Sequence, residues 1–413
     1  MKLLYRGLAL LLAALLGVGC AVAAETDDVT EGEARWERLL SFVSEEYGGA
    51  WLWSEEDIFY ARVKAEAFEQ EKNGTPQDYT QVELLFLYDF NQAQLEEILS
   101  QTPSLYVLGL TDCTVEDFSS LKNMEFLETV ELDWSEDLPR QLASLAKLPK
   151  LPGLSLGKVP TDADLEELVV LAELEWLELR FQDDTLCELL PLSKLPKLRS
   201  LTIYGGHERA IHTLPDLPLL EKFFVNAPMD PALLKHTPAL RVLKMNYIPA
   251  DADLAPLAAL TRLEELVMTV STSYEDGETP LPELPVLPNL RSLGLYGASS
   301  GSGSVISNLP DLPALERFDT NAEIDLALFQ HTPALRVLSI VGTDDFSGIS
   351  TLASLEEIYV EWRLPDDLSP LHDLPALRLL QIDTNHLIMD YLEQLEALHE
   401  ARPDIEIVLY YCC

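Results

Sequence analysis

The chain has 413 residues, 47% of them hydrophobic, with 28 basic against 70 acidic side chains and a formal net charge of −42. That apolar content excludes a disordered chain and supports a large buried core. A surface so acidic repels phosphate backbones and anionic headgroups, which argues against nucleic-acid binding and for a protein partner with basic patches; the plainer reading is charge that keeps a long molecule soluble.

Residues 1–24 read as an export signal. Lys2 and Arg6 precede the apolar stretch "GLALLLAALLGVG", and "AVAA" at 21–24 supplies small residues for cleavage. Cleavage after Ala23 or Ala24 predicts a secreted, cell-surface or periplasmic protein of charge −44, because the signal holds two basic and no acidic residues. A second reading takes "LGVGC" at 16–20 as a lipobox-like stretch, with Cys20 as a lipidated first residue and a lipid anchor. No later run has the ~18 apolar residues that a spanning helix needs.

Residues 25–81 are expected to form a helical N-terminal cap. Apolar spacing over 31–47 and 54–72 is helical, and a cap would cover the open end of whatever follows.

From residue 82 to the end one frame recurs, L-x-x-L-x-(L/I/M/V). It runs as "VELLFL" (82), "LYVLGL" (105), "LETVEL" (127), "LPGLSL" (151), "LEWLEL" (174), "LRSLTI" (198), "LEKFFV" (220) and "LRVLKM" (240). It continues as "LEELVM" (263), "LRSLGL" (290), "LERFDT" (315), "LRVLSI" (335), "LEEIYV" (355), "LRLLQI" (377) and "IEIVLY" (405), fifteen units at steps of 20 to 28 residues. Positions four and six flank a single residue, so both point to one side of a short strand, while positions three, five and seven point to the other. One such strand cannot bury its apolar side alone. Stacked coils build a parallel sheet and a shared core, which is a solenoid.

This pattern resembles the leucine-rich-repeat family over 82–413. "DLSPLHDLPALRLLQI" (367–382) and "IPADADLAPLAALTRLEELVM" (248–268) are similar to the 22-residue subtype of bacterial internalin-like proteins. The resemblance implies an α/β solenoid: a curved array of about 15 coils with a parallel concave sheet, and a convex side of 3₁₀ or extended segments. The proline-rich "LPDLP" at 214–218 and 309–313 suits that convex side, because Pro lacks the donor a helix needs. The chain departs from the family at position nine, where the usual Asn is replaced by Phe90, Cys113, Val159, Gln182, Gly206, Ile248 or Ala298 and survives at Asn385. "HTPALRVL" at 236–243 and again at 331–338 marks a duplicated four-coil block. A single helix is expected over 387–403, and loops at 271–285 and 297–308.

No phosphate loop, nucleophile elbow, zinc-protease motif or paired CxxC is present, so neither an enzyme, a cofactor nor a metal is expected. Cys113 and Cys187 lie three coils apart and should stay unbridged; Cys412 and Cys413 end the chain. His236 and His331 hold equivalent repeat positions and read as turn residues. Positions three, five, seven and eight, taken together as the concave face, collect Phe86, Tyr88, Trp134, Trp176, Phe181, Tyr204, Phe224, Tyr247, Tyr296, Tyr359 and Trp362. Among them stand Glu131, Asp133, Glu178, Glu265, Asp319, Glu357, Glu361 and Asp383. Exposed aromatics suit a protein interface, and they also suit strands for packing reasons alone. The leading expectation is an exported, non-enzymatic protein-binding surface. A glycan-binding envelope protein and an enzyme with its site in the N-terminal region are the alternatives.

Overall fold

The computed structural model describes residues 51–55, 58–71, 78–182, 188–205, 210–271, 279–297, 304–343, 345–365, 367–383 and 388–410. The export segment, Cys20, the expected helix at 31–47, His207, Cys187, Asn385 and Cys412–Cys413 lie outside them. No helix among the described residues is long and apolar enough to cross a membrane.

The frame folds as its spacing dictates. Among the described residues one 17-stranded sheet runs from Trp51 to Tyr410, parallel throughout except for the first strand, Trp51–Glu55. Each coil adds a strand beside the one before. Leu85 pairs with Leu108, Leu108 with Val130, Val130 with Leu154, and the phase holds to Ile358 beside Leu380. The residues at positions four and six are buried in one continuous core from Ala61 to Ile405. This is a leucine-rich-repeat solenoid, with the sheet along its concave side.

Three expectations are corrected. Residues 54–72 are not one helix: Ile58–Lys64 is a strand parallel to Leu84–Tyr88, and the helix is only Ala65–Glu71. Ala61 and Val63 fill the core slots where later coils use Leu, so the sheet starts one coil before the recognisable frame. Trp51–Glu55 closes that edge by turning back antiparallel on Ile58–Lys64. The last frame, read from residue 405, slips by one. Ile407 and Leu409, not Val408 and Tyr410, stand beside the inward Leu380 and Ile382. "IEIVLY" is apolar in both phases, so only pairing with the previous coil decides which face each residue takes.

The convex side follows the proline-rich sequence. Among the described residues eight short 3₁₀ segments cover it, but Gln92–Leu99 and Leu138–Leu145 are α-helical. Gln92–Leu99 is set by an Asn91 capping box with Gln94. Most 3₁₀ turns start on an aspartate whose Oδ1 accepts from the N–H two residues on: Asp117, Asp164, Asp230, Asp253, Asp325, Asp345 and Asp367. Seven of the 70 acidic residues are therefore committed to turn chemistry. After the two loops a small parallel sheet forms from Thr279–Pro280, Ser304–Ile306 and Glu323–Ile324. The expected C-terminal helix is Ile388–Ala401.

In several coils position eight has a backbone that favours glycine. Asp89, Asp112, Lys158 and Tyr247 all take positive φ there, and Gly205, Gly297 and Gly342 occupy the same slot elsewhere. At position nine, Phe90, Val159 and Ile248 are buried apolar plugs in place of the family's Asn. Cys113 does the Asn's work directly: its Sγ accepts from Phe90 N at 3.3 Å and lies 3.4 Å from Leu87 O. Burial pushes that thiol up to about 11, so it stays protonated and donates.

Candidate functional site

The outward positions form rows across the sheet. Position five runs Phe86, Gly109, Glu131, Ser155, Glu178, Thr202, Phe224, Lys244, Val267, Gly294, Asp319, Ser339, Tyr359. Phe86, Tyr88, Trp176, Tyr204, Phe224, Tyr296 and Tyr359 are on this face, as positions three, five and seven require.

Trp134 and Phe181 are not. Both pack against the main core. They stand at position eight, which alternation puts on the core side with positions four and six. Tyr247, also at position eight, sits half-buried in a bulge between Met245 and Ile248. Trp362 and Asp383 belong to described strands, but their side chains lie outside what the structure describes.

Several aromatics are used by the fold itself. Phe86 joins Leu84 and Val107 in a small cluster backed by Tyr88 and Tyr106. Its ring lies over Gly109, where a Cβ would meet it at 2.4 Å; the Trp176 indole lies over Gly153, where a Cβ would meet it at 2.1 Å. Tyr204 and Phe224 pack with ring centroids 5.3 Å apart. The Tyr359 hydroxyl donates to Glu357 Oε2 at 2.8 Å, and burial with that carboxylate pushes its phenol up to about 12.

The carboxylates on the face meet cations of the same face. Arg180 donates to Glu178 Oε1 at 2.5 Å, to Glu131 Oε1 at 2.8 Å and to Ser155 Oγ at 3.1 Å. The Glu178 side chain is 1% exposed, and burial raises its carboxyl while the Arg180 charge opposes that. Beside it, burial and the Glu178 charge push the Tyr204 phenol up to about 12. Lys158 bridges Asp133 at 2.8 Å and Asp112 at 3.1 Å. Lys244 reaches Glu265, Arg317 reaches Asp319, and Arg378 reaches Glu357. A basic partner was expected from the composition; the face gives that expectation little to work with.

Along one edge of the face, position two alternates in sign: Glu175, Arg199, Glu221, Arg241, Glu264, Arg291, Glu316, Arg336, Glu356, Arg378. Neighbouring rungs pair, with Arg199–Glu221 at 2.5 Å, Arg241–Glu264 at 2.8 Å and Arg336–Glu356 at 2.7 Å. The signal was open to sequence reading, since every frame from 174 to 377 begins LE or LR in turn. On the convex side, His236 Nδ1 lies 2.6 Å from Asp216 and His331 Nδ1 3.4 Å from Asp311. The duplicated words "LPDLP" and "HTPALRVL" thus write the same cross-coil pair twice. Among the described residues no three His, Cys, Asp or Glu side chains converge as metal ligands would.

No protein-family model matches the sequence, and no curated protein matches it. Solved structures similar to the chain include an internalin (inlF) of Listeria monocytogenes, 17% identical over 73% of this chain and 74% of that one, with a TM-score of 0.34. A leucine-rich-repeat protein of Leptospira interrogans is 16% identical over 79% of this chain and 90% of that one, with a TM-score of 0.40. Mouse RP105, solved with MD-1, is 18% identical over 79% of this chain but 59% of that one, with a TM-score of 0.44.

Proposed function

We propose that this leucine-rich-repeat solenoid is an exported, non-enzymatic protein-recognition module that binds its partner on the outer face of its sheet. One observation carries the reading: half-exposed side chains such as Phe224, Val267 and Tyr359 stand in rows on a face the core does not use. Aromatic and aliphatic groups held rigidly on strands supply contact area at low entropic cost, as interface hot spots do. The opposite, convex side offers short turns whose aspartates are committed to capping.

A photo-crosslinking residue placed at Val267 tests this against one placed at Ala258 on the convex side, with the full chain incubated among proteins of its native surroundings. The expected result is a discrete adduct from Val267 and none from Ala258. Adducts from Ala258 alone, or catalytic turnover by the full chain, would overturn the reading. Export is checked separately by the intact mass of the exported chain. Expected is a start at Ala24 or Glu25; a diacylated Cys20 would establish the anchored form instead.

A further inference from the structure

The outer face changes character along its length. From Leu84 to Glu178 it is largely closed: Leu84, Phe86 and Val107 are 2%, 9% and 4% exposed, and Thr129, Ser155 and Glu178 are buried. The closing groups are the face's own. Phe86 lies over Gly109, Trp176 lies over Gly153, and Arg180 reaches back past Ser155 to Glu131. From Ser200 onward the same positions are half-exposed, among them Phe224, Val242, Val267, Val337 and Tyr359, with Gly294 the buried exception.

The open stretch is also nearly neutral. Between the strands Lys222–Asn226 and Glu357–Arg363, the outward positions hold the cations Lys222, Lys244 and Arg317 and the carboxylates Glu265, Asp319, Glu357 and Glu361. That leaves one net negative charge there, on a chain of −42. Asn226 and Asn246 share an amide hydrogen bond of 3.0 Å in the same stretch.

We infer that the partner footprint lies on this open stretch, between Lys222–Asn226 and Glu357–Arg363, and that it takes an uncharged, apolar-centred protein surface rather than a basic one. The inference rests on the protein-recognition reading above and adds place and chemistry to it. Charge matching carries it: a neutral patch asks for a neutral partner, and the acidic body around it disfavours close approach elsewhere by other acidic surfaces. Long-range steering then contributes little, so binding should depend weakly on salt.

The test uses a random-peptide phage library selected on the immobilised full chain, with enriched peptides then synthesised. Expected are peptides rich in aromatic and aliphatic residues without excess Lys or Arg, whose Kd changes less than about threefold from ~0.05 to ~0.5 M salt. Val267→Asp and Val267→Lys, both checked for an unchanged far-ultraviolet spectrum and Tm, should each weaken binding about tenfold or more. Thr111→Asp, on the closed stretch, should not. Basic peptides with steep salt dependence would overturn the neutral chemistry but keep the face. Peptides lost with Thr111→Asp and indifferent to Val267 would overturn the location. Peptides indifferent to all three would overturn the face reading itself. Failure to enrich any peptide would overturn a protein partner, and a glycan array bound through Val267 would replace it with a sugar.

Discussion

Two glycines show how differently a single Cβ weighs on this fold. At Gly348 an added Cβ would sit 2.4 Å from Ala327 N and 2.6 Å from Leu326 C, backbone atoms of the preceding coil that cannot move aside. Gly348→Ala should therefore cost about 1–3 kcal/mol by overpacking, read as a lower denaturant midpoint with unchanged slope. At Gly153 the obstacle is the Trp176 ring on the outer face, which can swing away. Gly153→Ala should cost less and red-shift the tryptophan emission as the indole meets water. Arg180 is the third case. Replacing it with Met strands the buried Glu178 carboxylate, a loss of about 3–5 kcal/mol that Glu178→Gln in the same chain should largely recover. The sign with pH follows from the raised Glu178 carboxyl, which Arg180→Met pushes higher still. A folded value above the unfolded one means stability falls as pH rises between them, so the variant's deficit should be larger at neutral pH than near the ordinary carboxylate range. None of these contacts was legible in advance. Alternation placed Glu178 and Trp176 on the outer face correctly, but which groups cover their neighbours depends on side-chain reach across strands, and the frame carries no information on that.

At the scale of the element, sequence reading succeeded where one periodicity ruled and failed where two competed. The inward leucines follow from spacing alone. The coil containing Ile58–Lys64 was hidden because Ala61 and Val63 stand where Leu would announce it, and helical spacing over 54–72 outweighed a single strand's worth of alternation. Trp134 and Phe181 were misplaced because position eight was read as outward together with three, five and seven, although alternation puts an even position on the core side with four and six. The convex turns hold a testable consequence. Hydrogen bonds from Ser119, Ser347 and Ser369 hold the Asp117, Asp345 and Asp367 carboxyls below the usual range. A folded value below the unfolded one contributes stability above the unfolded value and loses it as pH falls through the folded one. Acid unfolding should accordingly set in below about pH 4, where several caps protonate together. Asp345→Ala should shift the acid midpoint upward and Asp345→Asn should recover most of the native stability at neutral pH, since the amide oxygen still accepts from Ser347 N. A variant series with no change in acid midpoint would show that these turns stand without their caps.

The whole molecule is a stack whose neighbouring coils must agree, and the alternating ladder makes that agreement directional. The echo between 236 and 331 spans four coils, an even number, so an arginine recurs where an arginine stood: Arg241 in one copy, Arg336 in the other. Excising residues 239–333 would join "HTP" of the first copy to "ALRVL" of the second and set Glu221 beside Arg336, preserving every rung. Such a chain should fold with a parallel-sheet circular dichroism signature and a cooperative transition, because each coil contacts mainly its neighbours. Excising one coil, residues 240–262, keeps the leucine frame equally intact but sets Glu221 beside Glu264, and Glu264 loses Arg241. Like charges directly opposite on adjacent strands cost about 0.2–1 kcal/mol beyond the lost pair. Surface pairs are screened by salt, so the one-coil deletion should regain stability at ~1 M salt while the four-coil deletion should not. Thermal melts at low and high salt separate the two. Equal melting shifts for both deletions would mean that the ladder is a by-product of duplication, with the leucines alone setting how coils may be joined.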